Sequence, residues 1–149
     1  MDEKANKARN PDFEAGKKII LYVLCVVIGF RVFSLVLQLI YLLIGNALWN
    51  MATLVSMIGV PIGTLLFAAM IYTGSKGFVY IALFGGIFSI FQTMQGQVLF
   101  NFTTFDTFFN VSNIVFHLAI FVHIIAMIYL MIDKKCDVYF QEMKNIQTD

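Results

Sequence analysis

KKIILYVLCVVIGFRVFSLVLQLIYLLI, residues 17–44, is apolar from Ile19 onward, interrupted by Arg31 at its centre and by Ser34 and Gln38. The run exceeds the roughly 20 helical residues that cross a hydrocarbon layer of about 30 Å. It lacks the strict alternation of a barrel strand, so it predicts a helix, which also satisfies its own backbone in lipid.

Three further runs of the same kind follow at 48–72, 78–100 and 111–132. Of the 149 residues, 60% are hydrophobic and 13% charged, against about 45–50% and about 25% in soluble domains. The expected fold is an all-α integral membrane protein: an antiparallel bundle of four transmembrane helices spanning 19–44, 48–72, 78–100 and 111–132. Tails 1–18 and 133–149 flank it. The first run is about twice the length of a signal-peptide core, so it reads as a retained span.

Nine of the ten basic side chains mark one side. Lys4, Lys7, Arg9, Lys17 and Lys18 precede the first run, Lys76 sits between the second and third, and Lys134, Lys135 and Lys144 follow the fourth. The other two connections carry none, so both termini are expected to be cytoplasmic, in a plasma membrane. A formal net charge of +1 gives no reason to expect nucleic acid.

Residues 72–77, YTGSKG, read as a tight inner turn. The outer connection 101–112 places Phe102, Phe105 and Phe109 on one helical face, and Trp49 adds to an outer aromatic belt. Small residues four apart, Gly59 with Gly63, Ala82 with Gly86 and Gly85 with Ser89, predict close packing of the second and third helices, with Pro61 bending the second. Cys136, Tyr139, Phe140, Met143 and Ile146 recur at helical spacing, so the tail 133–149 reads as an amphipathic helix on the inner surface or as a docking element.

Arg31 decides the functional reading. A charge at mid-depth costs a few kcal/mol or considerably more, and none of the four spans contains Asp or Glu. Ser34 and Gln38 continue its stripe at i+3 and i+7. At about 1.5 Å of rise per residue, Ser56, Gln92, Gln95 and His117 fall in the outer half, with His123 close to the centre. Arg31, Ser34, Gln38, Gln92, Gln95, His117 and His123 are therefore the candidate partner- or ligand-binding residues.

No paired carboxylates, nucleophile-base motif or phosphate-cradling loop occurs, so no enzymatic activity and no catalytic residue is expected. His117 and His123 project about 120° apart on a helix and cannot share a metal, and no cofactor is implied. Two function classes remain. The first is an accessory or interaction subunit of a larger membrane complex, with Arg31 and its stripe meeting a partner's carboxylate. The alternative is a small oligomeric transporter or channel-like protein that takes an anionic or polar solute into an outward-facing pocket. Beyond the lipid bilayer, the expected partners are a membrane protein or further copies of the chain.

Overall fold

The computed structural model describes residues 10–44, 51–99 and 111–148, with side chains placed for 10–37, 39–40, 59, 61–91 and 114–146. The described residues form five helices: α1 (Pro11–Ile44), α2 (Met51–Tyr72), α3 (Lys76–Leu99), α4 (Val111–Ile132) and α5 (Lys134–Thr148). The tail 1–9, the connection with Trp49 and the phenylalanine-rich loop 101–110 lie outside them.

Two helices are long and apolar enough to cross a membrane. They are α1 over Pro11–Leu37 and α4 over Ile114–Ile132, with mean hydropathies of 2.6 and 2.4 over their 18-residue windows. Only 22% of either window is buried, whereas the core helix of a water-soluble domain hides most of its apolar side chains. Pro61–Tyr72 and Lys76–Phe91 are shorter apolar stretches. Tyr22, Leu66, Phe84 and Ile125, one from each of α1 to α4, all turn outward. An apolar surface of this extent is the kind a bilayer accommodates.

What faces inward follows helical spacing. On α1 the buried positions are Phe13, Gly16, Ile20, Leu24, Val27 and Ser34, and Arg31 occupies the step between the last two. On α4 they are Ala119, Ile120, Met127 and Leu130, with His123 in the gap. Val79 and Ala82 of α3 and Ala68 and Ile71 of α2 complete the inner faces. Helix α1 packs against α2, α4 and α5, and α3 packs against α2 and α4. The apolar core gathers toward the end that carries the lysines.

That end is more ordered than a pair of tails. Helix α1 begins at Pro11, not at residue 19, because Asn10 caps it: Asn10 Oδ1 accepts from the backbone N–H of Asp12 at 3.0 Å. Proline at the first helical position and Asp12 and Glu14 in the first turn suit that terminus. At the other side, Gly74 adopts φ 95°. There the Ser75 N–H reaches Met70 O (3.2 Å) and the Gly74 N–H reaches Ile71 O (3.0 Å). This paired pattern ends α2 and reverses the chain into α3.

Helix α5 folds back onto this platform. Its Cys136, Tyr139 and Phe140 are buried, and Phe13 stacks on Tyr139 with ring centroids 5.1 Å apart. The Tyr139 hydroxyl donates to the carbonyl of Tyr72, and Lys76 pairs with Asp137. The amphipathic face expected to lie on the membrane is thus covered by the chain's own α1 and α2–α3 turn. Ile146, in contrast, stays exposed.

Candidate functional site

The polar residues of the inner faces stand on α1 and α4, and His123 of α4 reaches across to α3. Ala82 and Gly86 form a notch on α3: a Cβ built on Gly86 would lie 2.9 Å from Ile124 Cγ1 and 3.0 Å from His123 Cδ2. Glycine there lets the His123 ring reach the backbone of α3, where Nε2 lies 2.9 Å from Ala82 O. A carbonyl only accepts, so Nε2 carries the hydrogen. In the neutral ring Nδ1 is then a bare acceptor, and it is buried without a hydrogen-bond partner among the described residues.

Arg31 provides the opposite orphan. Its Nε–H, a donor, is also buried and without a partner among the described residues. Among the described residues no ion pair neutralises the guanidinium; Lys76 pairs with Asp137 instead, at the lysine-bearing end. Arg31 and His123 both fall on the inward stripes of α1 and α4, which pack against each other. An unmade hydrogen bond on a buried group costs about 1–3 kcal/mol, more for a charged one. An open donor on α1 and an open acceptor on α4 match a small guest that both accepts and donates: a polar solute, or an oxyanion that keeps a hydroxyl.

Ser34, one turn beyond Arg31, is buried on the same stripe. His117 is half-buried and sits edge-on to the neighbouring Phe116 ring, with centroids 5.9 Å apart. It lies nearly two turns from His123 on α4. Gln38, Gln92 and Gln95 belong to α1 and α3 by backbone, but their side chains, like that of Ser56, lie outside the described residues. No group of three His, Cys, Asp or Glu able to hold a metal forms among the described residues.

Sequence reasoning missed the role of Ala82 as hydrogen-bond acceptor and misassigned the Gly86 notch. Helices α2 and α3 do touch, but Gly86 faces α4. Cβ atoms built on Gly59, Gly63 and Gly85 meet nothing within 4 Å, and Ser89 bonds back to Gly85 O at 2.8 Å. The signal for the notch was present as Ala82 with Gly86; which helix would use it was not.

At the α4–α5 corner, Asp133 Oδ1 accepts from the N–H groups of Lys135 (2.9 Å) and Cys136 (3.0 Å), capping α5. Burial pushes its carboxyl up, but these bonds to Cys136 and Lys135 more than offset that and hold it below its ordinary value. Burial, reinforced by Asp133, pushes the Cys136 thiol up to about 12. No family model, curated protein or solved structure matches this chain.

Proposed function

We propose that this chain is a four-span membrane protein with both termini in the cytoplasm, and that it admits a small anionic or polar solute to a site between Arg31 and His123. In this reading it is a small transporter or channel-like protein. One observation carries it: a buried guanidinium Nε–H and a buried imidazole Nδ1, on the inward stripes of α1 and α4, both lack partners among the described residues. A guest that accepts from the first and neutralises its charge offsets the cost of Arg31 at mid-depth. Helix α5 closes the lysine-bearing end, so the guest enters from the opposite side.

The test is uptake into proteoliposomes of a panel of small anions: chloride, nitrate, acetate and phosphate. Wild-type protein should carry at least one, and Arg31→Gln should abolish uptake without changing the size of the purified assembly. Equal flux in both proteins contradicts the reading.

A second reading, an accessory subunit of a larger membrane complex, is supported by Gly59 and Gly63. Both are open on α2, where a partner's helix can approach closely. Mild-detergent purification that recovers a second polypeptide, lost in Arg31→Leu, favours it.

A further inference from the structure

The corner between α4 and α5 holds an outward groove of about 610 Å³, lined by Ile125, Ile128, Tyr129, Ile132 and residues 133–135. Its two ends differ in chemistry. Ile125, Ile128 and Ile132 fall at i, i+3 and i+7 on one face of α4 and are 65%, 42% and 75% exposed, so none of the described residues covers them. Lys134 and Lys135 are exposed at the other end, and neither forms an ion pair among the described residues.

The one acid of the groove does not cancel these lysines. Asp133 Oδ1 is committed to the N–H groups of Lys135 and Cys136, and Oδ2 lies 3.4 Å from the Tyr129 hydroxyl. Two cations face outward against a single carboxylate turned to its own helix cap. The length also fits: Ile125 stands nine residues before Lys134, roughly 14 Å along the helix, which is close to half of a hydrocarbon layer of about 30 Å.

We propose that this groove binds one anionic phospholipid of the cytoplasmic leaflet. Its phosphate lies on Lys134 and Lys135, and an acyl chain lies along Ile125, Ile128 and Ile132. A free phosphate would leave the isoleucine strip uncovered, and a zwitterionic lipid, whose own cation offsets its phosphate, would bring no net charge to cancel the lysines. The proposal rests on the membrane placement and is independent of the Arg31–His123 reading.

Native mass spectrometry of the detergent-purified protein tests it. The protein is offered phosphatidylglycerol or phosphatidylcholine with identical acyl chains. Wild-type protein should retain one phosphatidylglycerol in preference to phosphatidylcholine, by on the order of 30-fold from two basic side chains. K134Q/K135Q should erase that preference. Ile128→Trp, which fills the groove without changing charge, should displace the lipid, while K17Q/K18Q, the same charge change on α1, should retain it. Circular dichroism confirms that each variant is folded. Equal retention of both lipids by wild type overturns the proposal, as does loss in K17Q/K18Q as large as in K134Q/K135Q, or full retention in Ile128→Trp.

Discussion

His123 of α4 donates its Nε2–H to the backbone carbonyl of Ala82 on α3, at 2.9 Å. Two helices are joined there through a side chain and a backbone, and the contact requires the absence of a side chain at Gly86. Helix-to-helix hydrogen bonds of this kind contribute about 0.6 kcal/mol on average, up to about 1.7.

The notch makes neighbouring glycines unequal. Gly86→Leu should destabilise the protein by about 1–3 kcal/mol, because its side chain meets Ile124 and His123. Gly85→Ala, with open space around it, should be neutral or stabilising by up to about 1 kcal/mol from helix propensity. Thermal melts in detergent compare the two, and equal losses would remove the α3–α4 contact from the account.

Gly16 tests the docking of α5. A Cβ there would overlap the carbonyl of Lys135 and come within 3.1 Å of Tyr139 Cβ, and backbone cannot swing aside as a flexible side chain can. Gly16→Ala should lift α5 from α1. Limited proteolysis should then cut within 134–148 at least several times faster than in wild type, with α1 to α4 intact. An unchanged cleavage rate contradicts this packing.

Cys136 is fully buried and its thiol is pushed up to about 12. With the other, exposed cysteine removed as Cys25→Ser, it should resist a maleimide at pH 8, since the thiolate is the reactive form, and react once the protein is denatured. Rapid labelling of the folded protein would mean that α5 does not cover it.

The same end should loosen in alkali. Burial, and after it Tyr72, push the Tyr139 hydroxyl above its ordinary 10.0, and Cys136 lies above its ordinary 9.0. Both folded-state values are raised. Their stabilising contribution is therefore complete below pH 9 and is lost as pH rises through the folded values. Melting temperature should fall over roughly pH 9 to 12. Tyr139→Phe, which keeps the Phe13 stack but loses the bond to Tyr72, should melt lower at neutral pH by about 1 kcal/mol of stability and fall less steeply in alkali.

Which parts of this were legible in the sequence follows from what each signal encodes. Apolar runs announced the helices because length and hydropathy are local properties. Asn10-Pro11-Asp12 carried the start of α1, but a charged stretch beside a span reads as a tail until something packs on it. That something is α5, whose amphipathic spacing showed that a face would be covered without saying by what. Depth arithmetic brought Arg31 and His123 to neighbouring levels. The Ala82 carbonyl could not be anticipated, since every residue has one and only the approach of another helix singles it out.

Anion-dependent stabilisation measures the central claim most directly. If a small anion binds between Arg31 and His123, adding it at about 100 times its dissociation constant should stabilise the protein by about 2.7 kcal/mol, read as a rise in melting temperature. That rise should vanish in Arg31→Gln and, for hydrogen phosphate, whose hydroxyl can donate to His123 Nδ1, shrink in His123→Phe. Among chloride, nitrate, acetate and phosphate, at least one should act this way on wild type alone. If none does, or if Arg31→Gln responds as strongly as wild type, the buried guanidinium is not the binding group and the assignment fails.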